Sequence, residues 1–134
     1  SVLDLPYSDY QVNSMSCLHV IEHVGLGRYG DPFDVLGSEK ACKELQRVVA
    51  IGGSLLVSTP VGRSRACYNA HRVFSPDEII SFFDELELIS FSGVLDNREY
   101  IENTDISDFQ NQEYACGFFH FRRKEMKNDK GAAN

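Results

Sequence analysis

Short apolar runs alternate along this chain with segments in which apolar residues recur every three or four positions, the mark of strands interleaved with helices. Residues 3–9 are a turn-rich lead-in punctuated by Asp4 and Pro6, with Tyr7 as its one large apolar anchor. Residues 11–20 read as a first strand, rich in small residues. From Ser38, a candidate N-cap, the spacing of Ala41, Leu45, Val48 and Val49 predicts a helix whose other face carries Glu39, Lys40, Lys43, Glu44 and Arg47. Gly52-Gly53 are expected to stop that helix, and residues 54–59 to form a buried strand ending at Pro60. Residues 61–72 read as an irregular loop over the same sheet edge. Ser75-Pro76-Asp77-Glu78 then starts a second helix with the residues of a capping box and proline in the first turn. Residues 86–94 alternate as a strand, and residues 96–112 are an acidic loop with at most one helical turn. Residues 114–122 form the last strand, and the charged tail, 124–134, is expected to be disordered.

Strand–helix–strand connections run parallel with right-handed crossovers, whereas the non-helical link between the final two strands favours an antiparallel pair. The expected class is therefore α/β: a sheet mostly parallel with one antiparallel strand, and helices on both faces. One domain accounts for residues 1–123 of the 134.

Charge narrows the partners. A net charge of −7 argues against a nucleic-acid binder, and the one basic cluster, Arg122-Arg123-Lys124, reads as a solvated strand end. Cys17, Cys42, Cys67 and Cys116 are scattered without a CxxC pair, which fits a reduced, cytoplasmic protein. No apolar run approaches the ~20 residues of a membrane span.

The most distinctive stretch is 14–30, SMSCLHVIEHVGLGRYG, in which an apolar strand delivers charged residues to its C-terminal end. Open parallel sheets present their sites at such an edge. LPYSD before this strand, HVIEHV at its end and KELQRVVAIGGSLLVSTP after it resemble the C-terminal half of a class I S-adenosylmethionine-dependent methyltransferase. More narrowly, HVIEHVGLGRYGD with PVGR and NAHRVFSP is similar to an uncharacterised methyltransferase-like family. The resemblance covers nearly the whole chain and implies a partial Rossmann-like methyltransferase sheet, equivalent to strands four to seven. It also implies S-adenosylmethionine as cofactor, a small or sugar-like methyl acceptor, and a glycine-rich cofactor loop lying upstream of Leu3. Gly25, Gly27 and Gly30 follow the wrong strand to be that loop. The chain is thus expected to be incomplete and not competent alone. The first strand is expected at a sheet edge, covered by a missing N-terminal half or by a second copy, because an open apolar edge invites pairing.

By the same resemblance, Glu22 and His23 stand beside the reacting atoms, with His23 as a general base, and Cys17, Leu18 and His19 lie near the cofactor. The plainer account is a capping glutamate and a packing histidine. Arg28, Tyr29, Arg63, Asn69 and Arg72 are candidates for binding the acceptor, since guanidinium forks match anions; solvated loop residues are the alternative. Some methyltransferases acting on vicinal oxygens hold a divalent metal with an acidic residue, a Glu-His pair and a further His. The corresponding set here is His19, Glu22, His23 and His71, whose imidazoles suit Zn²⁺ better than Mg²⁺. Two further readings stand beside the enzyme: a degenerate methyltransferase module kept for dimerisation or partner binding, and a metal-binding protein.

Overall fold

The computed structural model describes residues 1–26, 34–67 and 71–125, apart from the side chains of Ala66, Cys67 and His71. A strand β1 (Val12–Leu18) ends in a 3₁₀ turn (Ile21–His23), and helix α1 (Gly37–Val48) leads into a long strand β2 (Val49–Val61). A small hairpin, β3 (Arg65–Cys67) with β4 (His71–Val73), precedes helix α2 (Pro76–Phe82). Strands β5 (Glu87–Val94) and β6 (Tyr100–Ile101), a second 3₁₀ turn (Ile106–Phe109) and β7 (Ala115–Arg122) complete the order. The expected disordered tail falls mostly in residues 126–134, outside the described residues.

The main sheet has the order β1-β2-β7-β5-β6. β1 and β2 are parallel, with Cys17 opposite Val57, whereas β7 enters antiparallel between β2 and β5. The α/β class holds, with two differences in detail. β1, β2 and β5 share a direction, yet among the described strands of the main sheet β1–β2 is the one parallel pair, because β7 separates β2 from β5. Both described helices also lie on one face. Phe83, just after α2, meets Phe121 at 4.8 Å between ring centroids, and Asp84 accepts hydrogen bonds from Lys43 (2.7 Å) and Gln46 (3.1 Å) of α1.

That face holds the core. Leu55, Val57, Val61, Phe91, Phe119 and Phe121 project from alternate strand positions onto Ala41, Cys42, Leu45, Ile79 and Phe83. Phe109, brought in by the second 3₁₀ turn, stacks edge-on against Phe91 at 5.0 Å. The intervening positions face the other way: Leu18, Leu56 and Phe118 stay 57%, 48% and 38% exposed.

Several local expectations need correction. α1 stops at Val48, where the chain passes straight into β2, so Gly52-Gly53 lie within the strand. Gly52 takes φ +77°, and a side chain on Gly53 would collide with the carbonyls of Ala50 and Asn13. Ser38 is inside α1 and donates its hydroxyl to the Ile21 carbonyl; Asp34 organises that end instead, accepting from the Leu36 N–H. Arg123, expected in solvent, is buried, donating to the carbonyls of Val49 and Gln46 and lying 4.7 Å from the Tyr10 ring centroid. The capping box at Ser75 and Glu78 forms as expected.

Candidate functional site

The end of β1 turns because His19 adopts a left-handed backbone, φ +56°, uncommon for a residue other than glycine. Its N–H still donates to the Ser58 carbonyl at 2.9 Å, so strand pairing persists to this residue and the bend follows immediately. Positions 19 and 22, too far apart in an extended strand to meet, are thereby brought together. His19 Nδ1 stands 3.7 Å from Glu22 Oε2, and His23 Nε2 approaches the same oxygen at 3.6 Å. The other carboxylate oxygen accepts from the Thr59 hydroxyl at 3.4 Å. Glu22 is only 2% exposed, so its carboxylate is a buried group held between two imidazoles and a hydroxyl. Such burial is tolerated where partners surround the charge.

On its other side His19 Nε2 lies 3.7 Å from the Cys116 sulfur. Cys116, His19 and Glu22 therefore form a thiol–imidazole–carboxylate row across the C-terminal edge of β1 and β2. Burial pushes the Cys116 thiol up to about 11, with the charge of Glu22 acting in the same direction. Cys17 is raised to about 11 for the same two reasons, burial first. Both are neutral thiols at neutral pH.

His19 and Cys116 line an open cleft of about 360 Å³. Pro60, Val94 and Leu95 give it an apolar lining, and Arg98 and Tyr114 line it as well. The size is that of a small-molecule site. The Asp96 carboxylate, also in the lining, accepts the N–H groups of Glu113 (2.7 Å) and Tyr114 (2.8 Å) and so fixes the rim.

The remaining residues singled out from the sequence disperse. Leu18 is exposed on the bare face of the sheet, whereas the Cys17 side chain is in the core. Arg63 pairs with Glu113 at the surface. Arg72 ties the loop to the 3₁₀ turn, donating to the Val24 carbonyl (2.5 Å), the Ser38 hydroxyl (2.7 Å) and the Asp34 carbonyl (2.9 Å). Arg28, Tyr29 and Asn69 lie outside the described residues. His71 begins β4, which packs against the 3₁₀ turn, but its side chain is outside the description. Among the described residues no group of three His, Cys, Asp or Glu side chains is placed to hold a metal ion. Sequence reasoning missed Cys116, Thr59, Asp96 and Arg98. Tyr100, Ile101, Ile106 and Phe109 were the available sign that the acidic segment folds back onto the sheet, being large apolar residues in a mostly polar stretch.

Residues 6–120 match the sequence model of the family described as "Caenorhabditis protein of unknown function, DUF268". The chain belongs to the DUF268 family. None of the curated proteins compared with this DUF268 chain matches it in sequence. Solved structures do match its fold. The [4+2]-cyclase SpnF superposes with a TM-score of 0.64 at 13% identity, over 94% of the DUF268 chain and 56% of its own. A SAM-dependent methyltransferase from Thermotoga maritima gives 0.58 at 19% identity, over 92% and 62%. The N-methyltransferase NodS from Bradyrhizobium japonicum, in complex with S-adenosyl-L-homocysteine, gives 0.56 at 14%, over 93% and 52%. The DUF268 chain thus has a methyltransferase-like fold and spans between half and two thirds of these structures. Among its described residues no helix is long and apolar enough to cross a membrane.

Proposed function

We infer that this chain is the acceptor-side, C-terminal half of an S-adenosylmethionine-dependent methyltransferase. The observation that carries the reading is the buried Glu22 carboxylate held between His19 and His23 at the C-terminal edge of β1, next to an open cleft. That edge is where open α/β sheets place their ligands.

The residues present fit part of the cofactor's outline. Leu18 offers an exposed apolar surface at the end of β1, and the neighbouring Ser58 hydroxyl is buried without a partner. S-adenosylmethionine, when bound, supplies an electrophilic methyl group. His19 takes the proton from an acceptor hydroxyl or amine in the cleft, since its imidazole is 52% exposed and lines that space. Glu22 orients the ring through Nδ1 and stabilises the imidazolium, and His23 holds the same carboxylate from the opposite side. Because β1 is an edge strand, a further N-terminal segment or a second copy is proposed to complete the cofactor side.

Calorimetric titration of the chain with S-adenosylhomocysteine tests this reading. Saturable binding with stoichiometry near one is expected, together with sedimentation that shows association where a second copy supplies the covering strand. A chain whose cofactor side has been completed, by an added N-terminal segment or by a second copy, and which still binds no S-adenosylhomocysteine overturns the assignment.

A further inference from the structure

The acceptor itself has left a trace in the distribution of charge around the cleft. The arginines at first sight suited to an anionic substrate are engaged elsewhere: Arg63 with Glu113, and Arg72 with two carbonyls and a hydroxyl. Arg65 donates to the Arg63 carbonyl at 3.1 Å. Arg98 differs. It lines the cleft, and its guanidinium makes no hydrogen bond or ion pair among the described residues.

Arg98 is exposed, on a tight turn that fixes its backbone. The backbone at Arg98 is left-handed, φ +74°, in a tight turn closed by Arg98 N–H donating to Leu95 (2.8 Å) and Leu95 N–H donating to Glu99 (2.9 Å). The one carboxylate in the lining, Asp96, is already engaged by two backbone N–H groups. A cation therefore lines the cleft while the one carboxylate beside it is engaged by backbone N–H groups. His19 and Cys116 line the same cleft.

We propose that this cleft binds a small organic anion, with Arg98 gripping its carboxylate or similar group and the apolar wall of Val94 and Leu95 receiving its body. This rests on the reading of the cleft as the acceptor site, and it places the acceptor's nucleophilic atom toward His19 and its charge toward Arg98. Guanidinium–carboxylate pairing supplies both orientation and affinity.

The test is a nuclear magnetic resonance titration of the isotope-labelled chain with benzoate and with benzamide, which share a shape and differ in charge. Benzoate is expected to shift the amides of Leu95, Arg98 and Cys116 saturably, about tenfold more tightly than benzamide, the worth of one charge-assisted hydrogen bond. Arg98→Gln should erase that preference and Arg98→Lys should keep most of it. Arg122→Gln, at an exposed arginine on the end of β7, should leave it intact. Equal affinity, absence of binding, or a preference that survives Arg98→Gln overturns the proposal. S-adenosylhomocysteine titrated into the same sample separates the two ideas. Cofactor binding without benzoate binding removes only the anionic acceptor, whereas benzoate binding by a chain that, with its cofactor side completed, still binds no cofactor removes the methyltransferase reading.

Discussion

Replacing Arg72 by alanine separates a structural role from a ligand-binding one. The guanidinium joins three segments that are remote in sequence: Val24 after the 3₁₀ turn, Asp34 before α1 and Ser38 inside it. Burial holds its pKa below the usual arginine value, with the charge of Asp34 working in the opposite direction, so the group has given up part of its hydration to make these contacts. A hydrogen bond to a charged group contributes ~1.5–3 kcal/mol, but three on one side chain do not add, and a half-buried group is partly compensated by water. Ser38 keeps its bond to Ile21 and the Asp34 carbonyl keeps the Gly37 N–H, so the Val24 carbonyl bears most of the loss. A net cost of about 2–3 kcal/mol is expected. With a urea m-value of ~1–3 kcal/mol/M, the unfolding midpoint should fall by roughly 1 M. Arg72→Lys, with one point charge in place of a fork, should recover less than half of this. A midpoint unchanged within about 0.2 M, accompanied by loss of anion binding, would refute the reasoning and return Arg72 to the acceptor site.

Two further expectations follow from local chemistry. Ser75→Ala removes the cap of α2 and should cost about 1 kcal/mol or less in equilibrium unfolding, because Glu78 N–H loses its side-chain acceptor and keeps only the Ser75 carbonyl; a neutral result would mean the helix is held by Ile79 and Phe83 alone. The cysteines set an alkaline limit. Folding raises the thiol pKa of Cys17 and Cys116 from 9.0 to about 11 and raises Cys42 as well, so the folded chain binds more protons than the unfolded chain above pH 9. Their contribution is fully present below pH 9 and is lost as pH rises toward 11, by up to about 1.4 kcal/mol per unit for the buried Cys17 and Cys42 and by less for the half-buried Cys116, where solvent screens the charge. Urea midpoints at pH 8 and pH 10.5 should therefore diverge, and less so in Cys42→Ala; equal slopes in the two proteins would sink the idea.

What could be read from the sequence was what neighbouring residues decide among themselves. The start of α2 was legible because Ser75, Pro76 and Glu78 carry their own hydrogen-bonding logic within one turn. The strands were legible as apolar runs, and Glu22 with His23 as polar residues at a strand end. The length of β2 was not, since Gly52-Gly53 has the signature of a helix stop while in fact permitting a close approach of Asn13 to the strand. Arginine roles were illegible for a different reason. Their partners lie tens of residues away, 48 in the case of Arg72 and Val24 and 77 for Arg123 and Gln46, and a guanidinium on a loop looks the same whether its partner is a ligand or a carbonyl. The cleft needed the fold, since it assembles His19, the 94–98 turn and the start of β7.

The one-sided dressing of the sheet bears on how the protein responds to denaturant and heat. Leu18, Leu56, Ile89 and Phe118 keep 57%, 48%, 40% and 38% of their surface in water after folding. Surface wet in both states adds nothing to the heat capacity of unfolding or to the urea m-value, both of which scale with newly exposed area. For its 134 residues, this chain should therefore unfold along a shallower curve than its length implies. Anything that settles over those four side chains should steepen it, which makes the slope of the transition a gauge of how much of the sheet is covered.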